Sequence, residues 1–155
     1  MIQNRVNDSR RSFRLLQWLI VACLLLAPSL SADTFRGGAG GMRIKDLQSG
    51  SGEVAAEGMI ATIHFTGWLD DRGARGREVY NSRRQRGEPV SFVIGTDGVM
   101  PAWNEGVLGM RPGGRRLLLV PPGMAWGERA IEGVVPANAA MQFTIELIRL
   151  EPGNP

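Results

Sequence analysis

The residue types that most often carry enzymatic chemistry are scarce in this chain. Its 155 residues include one histidine, His64, and one cysteine, Cys23. The carboxylates Asp70, Asp71 and Glu105 read as loop and helix charges rather than as a facing acid–base pair. No Cys/His spacing fits zinc, no glycine-rich strand-to-helix turn fits a phosphate, and no serine has a base partner for a triad. His64 stands on the outward phase of an alternating stretch and reads as a solvated surface residue. An enzyme built from these residues works without acid–base chemistry, metal, cofactor or covalent intermediate. What stands out instead is a set of large apolar side chains in or beside loops and strand ends: Phe65, Tyr80, Phe92, Met100, Trp103, Trp126 and Phe143. Such residues are either core or the wall of an apolar cleft. Trp126, between Ala125 and Gly127 in a loop, favours the cleft, because loops run over the surface.

The elements that would position them follow from periodicity. Met42–Leu47 is expected to open the domain as a strand, with a turn at Ser49-Gly50-Ser51-Gly52. Met59–Trp68 alternates Ala61, Ile63 and Phe65 with Thr62, His64 and Thr66. Asp70–Arg77 reads as a loop. Val79–Asn81 and Val90–Ile94 read as short strands joined by the polar stretch Ser82–Pro89. Trp103–Met110 is the one convincing helix, with Trp103, Val107 and Met110 on one face and Pro112-Gly113-Gly114 ending it. Arg115–Val120 is a further strand, and Pro121–Asn138 a long loop. Met141–Leu150 closes the domain, Met141, Phe143, Ile145 and Leu147 facing in and Gln142, Thr144 and Glu146 facing out. The expected fold is α+β, a curved antiparallel sheet of five or six strands wrapped on one short helix.

Successive stretches resemble signatures of the FKBP-type peptidyl-prolyl cis-trans isomerases. They are Ile63-His-Phe-Thr-Gly-Trp-Leu69, Gly87-Glu-Pro-Val-Ser-Phe-Val-Ile-Gly95, Trp103-Asn-Glu-Gly-Val-Leu-Gly-Met110, Pro121-Pro-Gly-Met-Ala-Trp-Gly127 and Gly133-Val-Val-Pro-Ala-Asn-Ala139. They stand in family order and cover nearly all of residues 41–151. The resemblance implies a half-open sheet curled around the helix, with a hydrophobic pocket between them. Matched position by position, Trp103 is the pocket floor, and Phe65, Tyr80, Phe92, Val99, Met100, Trp126 and Phe143 are its walls. Val90, Ile131 and Val135 lie near the rim, and Asn81 and Arg86 form a polar edge. The backbone N–H of Met100 matches the family's donor to a bound carbonyl.

The resemblance also implies the reaction. Rotation about an X-Pro bond passes through a twisted state that has lost amide resonance and is less polar than the planar amide. An apolar cleft with a few donors favours that state, with no bond made to the enzyme. The chain departs from the family at Phe65 and Trp126, where tyrosine is usual, at Asn81, where aspartate is usual, and at Val90, where phenylalanine is usual. Residues Asp71–Arg75 lengthen one loop. Reduced activity and weaker inhibition by rapamycin-type macrolides are therefore expected. The alternative reading is an FKBP-like module or chaperone that binds proline-containing or apolar segments with little isomerisation.

The formal net charge of +3 resides in residues 1–32, which hold Arg5, Arg10, Arg11 and Arg14 against Asp8; the remainder is neutral. A neutral domain offers little to nucleic acid or an anionic membrane. Six arginines, Arg72, Arg75, Arg77, Arg83, Arg84 and Arg86, could suggest a nucleic-acid-binding barrel. They stand beside Glu78 and Glu88 with no interleaved aromatic but Tyr80, and read better as a solvated face. The expected partners are unfolded or nascent proline-containing chains; no cofactor, metal or nucleic acid is expected, and the domain is expected to be a monomer.

Residues 1–32 read as an export signal: a basic start, an apolar run from Leu15 to Ala27, and small residues at Pro28–Ala32, with cleavage after Ala32 or Ser31. Ser9-Arg10-Arg11-Ser12-Phe13 resembles a twin-arginine motif, and Ile20-Val21-Ala22-Cys23 a lipoprotein processing box. An uncleaved anchor is the alternative, although Leu15–Leu30 is short for a membrane span. Residues 33–40 are expected as a flexible linker, 41–151 as the domain and 152–155 as a short tail, in a protein exported to a bacterial periplasm.

Overall fold

A computed structural model of the chain describes residues 34–153. The export signal and the two last residues of the tail lie outside the described residues.

Seven strands form one antiparallel sheet: β1 Arg36–Gly37, β2 Arg43–Gln48, β3 Ile60–Asp71, β4 Ala74–Asn81, β5 Val90–Val93, β6 Arg115–Val120 and β7 Met141–Glu151. The order is β1-β2-β6-β7-β3-β4, with β5 pairing β3 beside β4. Two helices are short: α1, a single turn at Ser82–Gln85, and α2, Pro101–Val107. The expected α+β architecture is the observed one, with the two-residue β1 as an added edge strand.

The alternation read from β3 and β7 sets the core. Ala61 and Ile63 on β3, and Met141, Phe143, Ile145 and Leu147 on β7, are fully buried together with Ile44 of β2 and Leu118 of β6. Helix α2 lies on this face through Ala102, Gly106 and Val107. A Cβ on Gly106 would stand 2.5 Å from Leu118 Cδ1, so only glycine permits this approach of helix to sheet.

Several expectations need correction. The Asp70–Arg77 stretch is a β-hairpin, not a loop: Asp70 pairs Arg75 and Asp71 pairs Ala74. Its turn, Arg72-Gly73, has positive φ at both residues (51° and 90°), the twist-matched form for a two-residue hairpin. Side chains reinforce it, with the Arg75 guanidinium 4.3 Å from the Trp68 ring centroid and the Gly73 N–H donating to Asp70 Oδ2 at 3.0 Å. The Ser82–Pro89 stretch opens with α1, which the Asn81 side chain caps by accepting from Arg84 N–H at 3.1 Å. Helix α2 runs Pro101–Val107 rather than to Met110. Proline opens it, Leu108 leaves it at φ −53°, ψ 131°, and Gly109 turns the chain away at φ 76°. Within residues 33–40, expected as a flexible linker, Arg36 and Gly37 pair with β2 and a 3-10 turn follows at Ala39–Gly41.

Two outward-phase polar residues are nonetheless buried. Gln142 donates to Asp70 Oδ1 at 2.6 Å, and the Thr62 and Ser91 hydroxyls are 2.8 Å apart. The arginine-rich segment is largely paired at the surface: Arg84 with Glu78, Arg83 with Glu146 at 2.9 Å, and Arg77 with the Val134 carbonyl at 2.6 Å.

Candidate functional site

One edge of β3 changes partner along its length. Ile60–Ile63 pair with β5 and Thr66–Asp71 with β4, leaving Phe65 between the two. The hydroxyl of Ser82, at the start of α1, fills that gap. It is fully buried, accepts from Phe65 N–H at 3.0 Å and donates to Phe65 C=O at 3.1 Å, as a neighbouring strand would. His64 Nδ1 lies 2.9 Å from the same oxygen. The donor in this pair is set by the imidazole tautomer. His64 is thus half-buried and bonded rather than freely solvated. Its pKa lies below the ordinary 6.5, first because burial disfavours the imidazolium and next because of Arg83, with Glu146 opposing.

Held this way, Phe65 anchors an aromatic cluster drawn from most of the elements. Its ring stacks on Tyr80 of β4 (centroids 5.0 Å, interplanar 9°) and tilts against Trp103 of α2 at 4.4 Å. Trp103 also meets Phe92 of β5 at 6.0 Å and Phe143 of β7 edge-on at 6.3 Å. Trp126, following the 3-10 turn Pro122–Met124, meets Phe143 at 6.2 Å. Residues 11 to 78 positions apart in the chain are therefore one apolar surface. Tyr80, Val90, Val99, Met100, Trp103 and Trp126 are its half-buried members. Phe143, expected in the wall, has no exposed surface and backs the others instead. Phe65 and Phe92 are nearly buried as well.

A cleft of about 670 Å³ opens beside this cluster, with Val99, Met100 and Trp126 in its lining. Phe65, Tyr80 and Trp103 do not line it; Ala39, Asn104, Glu105, Met124 and Arg129 do. Asn104 is tied in on both sides of its amide. Oδ1 accepts from Gly95 N–H at 2.9 Å, and Nδ2 donates to Thr96 C=O at 2.7 Å, which fixes the turn leading to Met100. Ala39 reaches the cleft because its N–H donates to Glu105 Oε1 at 3.2 Å. No periodic signal in the sequence marks Ala39 or Arg129, whereas Asn104 sits beside Trp103 inside a quoted motif.

The rim differs from expectation. Ile131 and Val135 pair in an isolated bridge, but only Ile131 is exposed (38%); Val135 is buried, and Val134 is the second exposed apolar residue there. The polar edge is not joined. Asn81 Oδ1 is engaged as the α1 cap, and Arg86 is exposed with no hydrogen bond to Asn81. The indole N–H of Trp103 is buried and has no hydrogen-bond partner among the described residues.

Comparison with known proteins agrees with this architecture. The model of the FKBP-type peptidyl-prolyl cis-trans isomerase family matches residues 52–148. An FK506-binding protein of Neisseria meningitidis serogroup B is 37% identical over 111 residues, 72% of this chain and 97% of the relative. The peptidyl-prolyl cis-trans isomerase Fkbp12 of Drosophila melanogaster is 35% identical over 112 residues, 72% of this chain and 99% of the relative. Among solved structures, AtFKBP13 superposes with a TM-score of 0.65 at 28% identity, over 76% of this chain and 99% of that one. A peptidyl-prolyl isomerase of Pseudomonas syringae pv. tomato shares the fold at 21% identity, with a TM-score of 0.64 over 78% of this chain and 84% of that one. A family model over residues 52–148, relatives above one-third identity and a shared fold agree, and the chain belongs to the FKBP-type peptidyl-prolyl cis-trans isomerase family.

Proposed function

We propose that this isomerase rotates X-Pro bonds of exported, incompletely folded proteins against the apolar surface formed by Tyr80, Val99, Met100, Trp103 and Trp126. The observation that supports this reading is the single aromatic cluster, in which Trp103 meets Phe65, Phe92 and Phe143 while remaining only partly buried. A planar prolyl amide is strongly solvated, while the twisted amide is not, so transfer to an apolar surface favours the twisted form. The Met100 N–H, at the start of α2, is the donor for a bound carbonyl. Each factor of ten in rate requires about 1.4 kcal/mol, within reach of apolar contact plus one or two hydrogen bonds. No proton is transferred and no covalent intermediate forms.

The departures at Phe65, Asn81, Val90 and Trp126 lower catalytic strength and weaken binding of rapamycin-type macrolides. Replacing Asn81 by aspartate keeps an equally good cap for α1, so this reversion reports on the site rather than on folding. The test is an isomerisation assay on X-Pro peptides, with and without a macrolide, for the natural chain, Trp126→Tyr and Asn81→Asp. Measurable turnover that rises in either reversion is expected. A well-folded natural chain with no turnover, which still suppresses aggregation of a proline-independent client, would instead establish a binding module.

Export to a bacterial periplasm is part of the same proposal and rests on the sequence of residues 1–32. N-terminal sequencing of the protein from a periplasmic fraction, beginning at Ala32 or Asp33, is the expected result. The domain works as a monomer, which light scattering across a concentration series would check.

A further inference from the structure

One core position carries a charge where the strand pattern calls for an apolar side chain. Arg116 stands on the inward phase of β6, two and four residues before Leu118 and Val120, and is only 4% exposed. Its Nη1 donates to two carbonyls, Gly106 C=O and Leu108 C=O, at 2.8 Å each. Its Nε donates to Asp46 Oδ1 at 2.6 Å, and Asp46 is its cross-strand neighbour on β2. Gly106 lies in the last turn of α2, and Leu108 is the residue at which the chain leaves it.

The last carbonyls of any helix have no partner within it, and in a buried helix they must find one elsewhere. Helix α2 has seven residues, too few to be stable by itself. Its end is not closed by a backbone bond from the following glycine, because Gly109 N–H turns to Ala55 C=O. Met110 N–H takes the Val107 carbonyl at 2.9 Å, and Arg116 holds the carbonyls on either side of it, Gly106 and Leu108, with a positive charge that also complements the helix dipole there. Replacing a buried ion pair by apolar side chains is often neutral or stabilising, so stability alone gives little reason for an arginine at this position.

We propose that Arg116 is a positioning residue for Trp103. Trp103 lies three residues before Gly106, on the same short helix. The guanidinium fixes how far α2 stands along the sheet, and so the depth and tilt of the indole within the aromatic cluster. Asp46 orients the guanidinium from the side, while the two carbonyl bonds set the helix.

The test measures kcat/KM on an X-Pro peptide, and the near-UV circular dichroism of Trp103 obtained by subtraction of a Trp103→Phe variant. Both are read below the unfolding transition for Arg116→Met, Arg116→Lys and Asp46→Asn. Displacements well under 1 Å at an aligned site cost about tenfold in rate, so Arg116→Met is expected to lose about tenfold in kcat/KM with a changed Trp103 band. Arg116→Lys keeps the charge, but its ammonium ends one bond short of Nη1 and lacks Nε, so it reaches the two carbonyls less well and is expected to lose about threefold, between the methionine variant and the natural chain. Asp46→Asn leaves both carbonyl bonds in place and is expected to stay within about twofold. A folded Arg116→Met or Arg116→Lys with unchanged kcat/KM and an unchanged Trp103 band would overturn the proposal, as would an Asp46→Asn loss as large as that of Arg116→Met. Where Arg116→Met does not fold, the lysine variant decides by the same criterion.

Discussion

Replacing Ser82 by alanine removes one oxygen atom from the molecule and leaves two backbone groups of Phe65 without partners. The Ser82 side chain is fully buried, and its hydroxyl serves Phe65 N–H at 3.0 Å, Phe65 C=O at 3.1 Å and His64 Nδ1 at 2.9 Å. On this edge of β3 no strand lies opposite Phe65, since β5 pairs up to Ile63 and β4 begins its pairing at Thr66. An unsatisfied buried donor or acceptor costs about 1–3 kcal/mol, and partial relief by water entering the vacated space reduces the total for the two to about 2–4 kcal/mol. For a domain of this size that corresponds to a fall in Tm of about 8–15 °C. Urea denaturation should therefore show a lower midpoint with an unchanged slope, because the surface exposed on unfolding is the same. Ser91→Ala is the control. It removes the Thr62–Ser91 hydroxyl pair but no backbone bond, and should cost about 1 kcal/mol or less. Isomerisation should fall as well, since Phe65 is stacked on Tyr80 and packed on Trp103. A Ser82→Ala protein as stable as the natural chain would refute the idea that the hydroxyl stands in for a missing strand.

Further outcomes follow from the same geometry. The folded-state pKa of His64 is lowered, so the unfolded chain takes up the proton first as pH falls. Stability from this residue is fully present above pH 6.5 and is lost as pH drops through 6.5 towards the folded pKa; denaturation midpoints between pH 8 and 5 should show this decline, and His64→Gln should flatten it. Gly106→Ala brings a methyl to 2.5 Å from Leu118 Cδ1, so the fully buried Leu118 side chain must shift within the core, and thermal unfolding should report a loss of about 1–3 kcal/mol. Asn104→Asp keeps the acceptor for Gly95 N–H but sets a carboxylate oxygen against Thr96 C=O, formerly bonded at 2.7 Å. The turn before Met100 should loosen, and kcat/KM should fall about threefold or more, with Tm lowered by only a few degrees. An unchanged kcat/KM in Asn104→Asp would show that this turn does not set the position of the Met100 donor.

The strands β3, β6 and β7 were legible in the sequence because each has one face on the core, and alternation of apolar and polar residues records that directly. The order and content of the motifs from Ile63 to Ala139 likewise identified the family from residue identities alone. The hairpin at Asp70–Arg77 was not legible. Its strands are exposed on both faces, so alternation is absent, and a positive-φ arginine in the turn carries no glycine or asparagine signal. The end of α2 at Val107 was missed because Met110 keeps the helical spacing although its burial is achieved from a turn. Which of the candidate residues meet was beyond any periodic reading. Periodicity assigns a residue to a face, whereas contact of Phe65 with Trp103 and of Trp126 with Phe143 depends on how the sheet curls around α2. Two decisive polar groups belong to that second class. Nothing in the sequence marks Ser82, in a polar stretch, or Arg116, in a strand, as buried. Tertiary packing buries both, and a buried polar group must then bond to whatever the fold leaves unpaired: for Ser82 the backbone of Phe65, for Arg116 the end of the helix that carries Trp103.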